Sequence, residues 1–173
     1  KNPPNSAKTI TATFQRPYHM HGSVAPSAAM ALYNDQEIKV WTHSQGVYPL
    51  RGAIADVLEI EENSIHLVQV HGAGCYGHNG ADDVALDAVL AARAFPGKPV
   101  LLKWERADEH SWEPYGSAMQ VELKAHLDKS GKVLYWNHET YSDTHLQRPS
   151  ANGKKSRLLA SWHLKAPKQA PQV

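Results

Sequence analysis

Four glycines fall within nine residues at Gly72-Ala73-Gly74-Cys75-Tyr76-Gly77-His78-Asn79-Gly80. A loop this rich in glycine lets backbone N–H groups come close to a ligand, because no Cβ stands between. Read by letter, Gly72-x-Gly74-x-x-Gly77 is the dinucleotide fingerprint. It sits, as that motif requires, between an apolar β-branched run ending at His71 and a helical pattern that opens near Asp82. Glu105, after the next strand, would then be the ribose acid, although it lies beyond the usual spacing of ~20 residues. The charges argue the other way. A Rossmann helix receives pyrophosphate at its N-terminus. Here Asp82 and Asp83 occupy that end, where they repel phosphate and complement the helix dipole themselves. The helix also starts several residues late, and a glycine-rich connector with no ligand accounts for the same letters.

Other residues carry chemistry of other kinds. Cys75 lies inside the loop with His71 and His78 on either side, an arrangement that would suit a thiolate nucleophile and its base. The opposing reading is a small buried cysteine with two pocket-lining, hydrogen-bonding histidines. His19-x-His21 places two imidazoles on one strand face, as a metal would need, but no third ligand follows nearby in sequence. Asp83 and Asp87 share a helix face at i, i+4, while helix capping explains Asp82 and Asp83. The run Glu105-x-x-Asp108-Glu109 reads as a loop or a helix start.

The elements that must position these residues follow from periodicity. Residues 8–21 read as extended and 26–33 as a strand, with a turn at Asn34-Asp35. Residues 37–43 alternate polar and apolar, the mark of a half-buried strand. Pro49 suits a first helical residue, and Leu50, Ala53, Ile54, Val57 and Leu58 repeat at helical spacing. A strand over 65–71 leads into the glycine loop. Residues 82–95 form a helix apolar on most sides, hence buried, and Pro96-Gly97 stops it. Residues 100–104 are a strand, 108–116 an aromatic and acidic connection, and 118–127 with 132–141 a hairpin around Asp128-Lys129-Ser130-Gly131. The pattern dissolves after Ser142. The expectation is an α+β domain over residues 1–142, a mixed β-sheet with two main helices. Residues 143–173, with the basic Lys154, Lys155 and Arg157, form an extended C-terminal arm packed on a neighbour.

Composition bounds the function. The chain has 173 residues, 42% hydrophobic and 20% charged, with a net charge of +1. That is enough for a real core, but it offers no basic footprint for nucleic acid. No stretch approaches the ~20 apolar residues of a membrane span. Lys1-Asn2-Pro3-Pro4 lacks the apolar segment of a secretory leader, and the missing initiator Met suggests a piece of something longer. One cysteine rules out an internal disulfide and leaves the compartment open between cytoplasm and periplasm. Eleven histidines and five tryptophans are more than a simple core needs and suit the lining of a large site or interface.

The motifs together carry a resemblance. Trp41-Thr42-His43-Ser44-Gln45-Gly46 before one helix and Gly72-Ala73-Gly74-Cys75-Tyr76-Gly77 before the next are joined by three further segments. These are Arg16-Pro17-Tyr18-His19-Met20-His21-Gly22, Gly97-Lys98-Pro99-Val100 and Trp104-Glu105-Arg106-x-Asp108-Glu109. In this order and near this spacing, over roughly residues 10 to 165, the chain resembles the molybdenum-binding subunit of the xanthine dehydrogenase/aldehyde oxidase family. Its loop variant looks most like the branch holding isoquinoline oxidoreductase β-subunits and nicotinate dehydrogenase large subunits.

The resemblance implies a molybdopterin-binding domain, with the cofactor in its molybdopterin cytosine dinucleotide form. The activity it implies is oxidative hydroxylation of an aldehyde or N-heterocycle. Electrons would leave through the pterin to 2Fe–2S clusters in a small partner subunit, with a cytochrome as a further acceptor. Gln45 matches the family's glutamine that hydrogen-bonds an oxo ligand of molybdenum. Gly46, Gly74, Tyr76 and Gly77 match the main chain beside the cofactor, with Tyr76 where the family has Phe. His71 and His78 would line the pocket, and no residue of this chain would ligate the metal. Gly80 stands where purine-oxidising members keep a glutamate, which speaks against purines. The family's base glutamate and substrate arginines lie beyond residue 173, so no catalytic residue is expected here and the isolated chain is expected to be inactive. The readings left beside this one are a dinucleotide-dependent oxidoreductase and a non-catalytic assembly module.

Overall fold

The computed structural model describes residues 3, 5–35, 37–144, 148–149 and 157–164. Residues Lys1–His19 with Gly116–His145 make one compact unit, and Met20–Tyr115 with Leu146–Val173 a second. The sequence predicts one α+β domain. The expected mixed sheet and its two main helices form the second unit, while a separate antiparallel sheet and a third, short helix are additional.

In the first unit, β1 (Lys8–Arg16), β6 (Met119–Leu127) and β7 (Val133–Ser142) make a three-stranded antiparallel sheet in the order β1-β6-β7. β1 pairs with β6 from Lys8 opposite Leu127 to Arg16 opposite Met119. The expected hairpin is β6–β7. Its turn is held by Asp128, whose Oδ1 accepts from the backbone N–H groups of Ser130 at 2.8 Å and Lys132 at 3.0 Å.

In the second unit, β2 (Ala28–Asn34), β3 (Glu37–Thr42), β4 (Ile65–Gln69) and β5 (Val100–Lys103) form a sheet in the order β4-β3-β2-β5. β2 runs antiparallel to β3 and β5, and β3 runs parallel to β4. A parallel pair needs a crossover, and α1 (Val47–Leu58) supplies it. α1 begins two residues before Pro49, which still lies in the first turn, where no N–H is needed. α2 (Ala81–Arg93) packs on β2, β3 and β5. Alternation along β3 sends Ile38 and Val40 into one core cluster with Leu50 and Ile54 of α1 and Val84 and Val89 of α2, while Glu37 and Lys39 are exposed.

Where a connection is expected, α3 (Arg106–Trp112) forms. Glu105 accepts from the third backbone N–H of the helix, and Asp108 Oδ2 accepts from Glu105 N–H at 2.7 Å. Residues Leu159–His163 form a 3₁₀ turn in contact with α2. Lys154 and Lys155 lie outside the described residues. No helix among the described residues is long and apolar enough to cross a membrane.

Candidate functional site

β3 and β4 are parallel neighbours, so the loops that follow them leave from the same edge of the sheet. The first loop carries Gln45 and the second is the glycine loop. They meet: Gln45 Nε2 donates to the Cys75 carbonyl at 2.7 Å. Gln45 and Tyr76 are exposed, while Gly46, Gly74, Gly77 and His78 are half-buried. Gly74 and Gly77 adopt φ values of +115° and +127°, which side-chain-bearing residues rarely take. A Cβ at Gly77 would lie 2.5 Å from the His21 ring.

Two predicted roles change in the structure. Asp82 and Asp83 lie in the first turn of α2, but neither caps it. The helix follows Gly80, which has no side-chain cap, and Asn79 Oδ1 accepts from Ala81 N–H at 3.1 Å instead. Both aspartates are 1% exposed. Asp82 receives hydrogen bonds from Ser44 Oγ and from Arg148 Nε, the latter at 3.0 Å. Asp83 Oδ1 accepts from Leu159 N–H at 2.8 Å, and burial pushes this carboxyl up to about 8. With Asp82 and Asp83 filling that end of α2 and Glu105 engaged at the start of α3, the dinucleotide reading has neither a phosphate seat nor a ribose acid.

The histidines separate. His71 is exposed at the start of the loop. His78 Nε2 lies 3.5 Å from Asp82 Oδ2, and burial lowers this imidazole to about 4 despite the carboxylate beside it. His19 and His21 belong to different units. His19 bridges to Gly116 through the main chain, and His21 Nδ1 lies 3.0 Å from Glu113 Oε1. Among the described residues no three His, Cys, Asp or Glu side chains group as a metal would need. Cys75 Sγ donates to the Gly77 carbonyl at 3.2 Å and toward Asn79 Oδ1 at 3.5 Å. No hydrogen bond among the described residues joins it to a histidine, so the nucleophile reading lacks its base.

Residues to which the sequence patterns gave no role in the site complete the surroundings. Arg148 Nη1 donates to Gln45 Oε1 at 2.9 Å and Nη2 lies 3.9 Å from Cys75 Sγ. Asn79 Nδ2 ties the loop to Ser23 Oγ at 2.9 Å and to the Gly74 carbonyl at 3.2 Å. Glu109 Oε1 accepts from Ser27 N–H at 2.5 Å. Glu113, one turn further along, is raised to about 7 by burial and by its hydrogen bond with Glu109. Their i, i+4 spacing is the one local signal that could have found that pair.

In this α+β fold the loop carrying the Gln45 amide and the glycine loop converge at one sheet edge. The chain belongs to the molybdopterin cofactor-binding domain family, which residues 4–161 match. It is 37% identical over 136 residues to a nicotinate dehydrogenase polypeptide of Pseudomonas putida KT2440, covering 79% of this chain and 11% of that protein. It is 28% identical over 139 residues to the aldehyde oxidoreductase molybdenum-binding subunit PaoC of Escherichia coli K12, covering 80% of this chain and 19% of that one. The aldehyde oxidoreductase of Desulfovibrio gigas shares the fold with a TM-score of 0.67 at 20% identity, over 80% of this chain and 15% of its own. The chain therefore spans less than a fifth of the length of these relatives.

Proposed function

We propose that this chain is the pterin-facing domain of a molybdenum hydroxylase large subunit, supporting oxidative hydroxylation of an aldehyde or an N-heteroaromatic carbon. One observation carries the reading: the Gln45 amide donates to the Cys75 carbonyl at 2.7 Å, which brings a neutral donor against the glycine loop. A side-chain amide nitrogen has two hydrogens. One is engaged by Cys75, and the other remains for an acceptor that the cofactor brings. Being uncharged, the amide polarises that acceptor without adding charge to the site. The residues present fit the group: Gln45 as donor, and the main chain of Gly46, Gly74, Tyr76 and Gly77 alongside.

When bound, molybdopterin with its molybdenum supplies the oxidation chemistry, and the protein supplies orientation. His78, lowered to about 4 by burial, is neutral at physiological pH and serves as a hydrogen-bonding wall rather than an acid. His71 stands at the exposed rim. A Cβ at Gly80 would lie 2.3 Å from the Trp104 ring, so position 80 has no room for a substrate-binding carboxylate. That disfavours purines, and the names of the relatives, nicotinate dehydrogenase and aldehyde oxidoreductase, agree with an aldehyde or N-heteroaromatic substrate. The cytosine dinucleotide form of the cofactor, 2Fe–2S clusters in a small partner subunit, and a cytochrome acceptor complete the proposal, as does the rest of the large subunit with its base glutamate. Residues 1–142 would form the cofactor-facing domain and 143–173 an arm that returns to it, with Arg148 against Asp82, Gln45 and Cys75. Without those parts the 173 residues turn nothing over.

The test is metal and pterin analysis of the full polypeptide in which this chain occurs, purified with its natural partners. Stoichiometric molybdenum and pterin are expected. A polypeptide that carries neither, or carries nicotinamide instead, would refute the reading.

A further inference from the structure

We propose that Arg148 is a positioning residue that sets which way the Gln45 amide faces, and therefore which of its atoms meets the cofactor. The inference rests on the cofactor reading above and deepens it.

The guanidinium of Arg148 reaches in three directions. Nε donates to Asp82 Oδ2 at 3.0 Å, Nη1 donates to Gln45 Oε1 at 2.9 Å, and Nη2 lies 3.9 Å from Cys75 Sγ. These partners come from α2, from the loop after β3 and from the glycine loop. The guanidinium is a planar, rigid fork, so fixing one nitrogen fixes the direction of the others. The anchor is firm. Asp82 is 1% exposed, its second oxygen is held by Ser44 Oγ, and a buried carboxylate needs its cation.

The two ends of a glutamine amide are nearly the same shape and opposite in chemistry: the oxygen only accepts and the nitrogen only donates. Arg148 has only donors, so it must face Oε1. The Cys75 carbonyl only accepts, so it must face Nε2, which it does at 2.7 Å. The two demands agree and leave one Nε2 hydrogen as the free donor. Gln45 is exposed, so without Arg148 a single hydrogen bond would hold an otherwise free side chain. Turned over, the amide would present its oxygen to an oxygen ligand and repel it. No sequence pattern shows this pairing, because 103 residues separate Gln45 from Arg148.

The test uses Arg148→Lys and Arg148→Met in the full polypeptide with its natural partners. An ammonium can keep the Asp82 pair but cannot span Asp82, Gln45 and Cys75 at once, so Arg148→Lys separates support of the fold from orientation of the amide. Molybdenum and pterin content and the unfolding midpoint are expected to stay near wild type in Arg148→Lys. Its kcat is expected to fall about tenfold at unchanged KM, the size of one lost hydrogen bond, with shifted g-values in the Mo(V) paramagnetic resonance spectrum. Arg148→Met is expected to match it with a lower midpoint. Wild-type kcat and an unshifted spectrum in Arg148→Lys would overturn the proposal, while the metal content would show that the cofactor reading stands. Should wild type carry no molybdenum, the cofactor reading fails, and the clamp is then read by iodoacetamide labelling of Cys75. Labelling about tenfold faster in Arg148→Lys supports the clamp, since the guanidinium 3.9 Å from Sγ no longer covers the half-buried thiol, and an unchanged rate overturns it.

Discussion

Gly77→Ala tests whether the glycine loop is built around its neighbour. Gly77 has φ +127°, and an added Cβ would meet His21 Cδ2 and Nε2, both at 2.5 Å. Ordinary contact between such atoms needs about 3.5 to 4.0 Å, so the ring would have to move by roughly an ångström. His21 is not free to do so. Its Nδ1 lies 3.0 Å from Glu113 Oε1, and its backbone N–H donates to the same oxygen. The Glu113 side chain is fully buried. Two costs therefore add: about 1–3 kcal/mol for a side-chain-bearing residue in a glycine conformation, and about 1–3 kcal/mol for displacing a ring that a buried carboxyl holds. The expected loss is about 2–6 kcal/mol, read as a lower midpoint in urea unfolding at unchanged slope. Gly22→Ala is the control. Gly22 has φ +62° and nothing within 4 Å of an added Cβ, so only the backbone cost of about 1–2 kcal/mol applies. A double-mutant cycle with His21→Ala isolates the ring, and Gly77→Ala should cost less in that background. Equal losses for Gly77→Ala and Gly22→Ala, with no coupling to His21, would refute the packing argument.

Two further outcomes follow from the buried and paired groups. Asp83 is pushed up to about 8 by burial, whereas an unfolded aspartate titrates near 4. Between those values the unfolded chain has lost a proton that the folded chain keeps, so stability falls as pH rises from about 4 to about 8, by up to about 1.4 kcal/mol per pH unit. Asp83→Asn keeps an acceptor for Leu159 N–H and has no charge to bury. Its advantage over wild type in unfolding free energy should grow across that window and level off above it, and a difference independent of pH would show that Asp83 ionises freely when folded. Gln45→Glu keeps an acceptor for Arg148 but sets a carboxylate oxygen against the Cys75 carbonyl, where the wild-type nitrogen donates at 2.7 Å. Cofactor retention in the full polypeptide, measured as molybdenum per chain after gel filtration, should fall by about tenfold or more, the size of a lost hydrogen bond plus repulsion. Full retention would remove Gln45 from the site.

The sequence makes regular elements legible where periodicity is strong and pairing is local. α1, α2 and the β6–β7 hairpin all announce themselves, as does the strand, loop and helix order around Gly72. α3 shows only in part: the Glu105-x-x-Asp108-Glu109 run offers a helix start, but the helix has seven residues and its first turn is closed by Glu105, an uncommon N-cap type. The division into two sheets does not show, because β1 finds its partner β6 more than 100 residues away, with Lys8 opposite Leu127. Gln45 and the glycine loop were visible through the motifs they carry, and their meeting follows from β3 and β4 being parallel neighbours.

What stayed hidden has one physical character. Asp82 reads by pattern as a helix cap, and Glu113 falls in the stretch read as an acidic connection. In the fold both side chains are buried, and a buried carboxyl must be satisfied. Asp82 is held by Arg148, which reaches Gln45 and Cys75, and Glu113 is held through its Oε1 by His21, whose ring rests against Gly77. Each carboxyl thus fixes a side chain that in turn fixes one flank of the glycine loop. A loop with four glycines in nine residues has little stiffness of its own. Its shape is set by hydrogen bonds within it, from Asn79 to Gly74 and from Cys75 to Gly77, and by polar neighbours that cannot move without costing a buried carboxyl a partner. That requirement makes the neighbours of the loop, rather than its glycines alone, the determinants of its geometry, and it predicts that Asp82→Asn and Glu113→Gln would each loosen the loop from one side while leaving the other side in place.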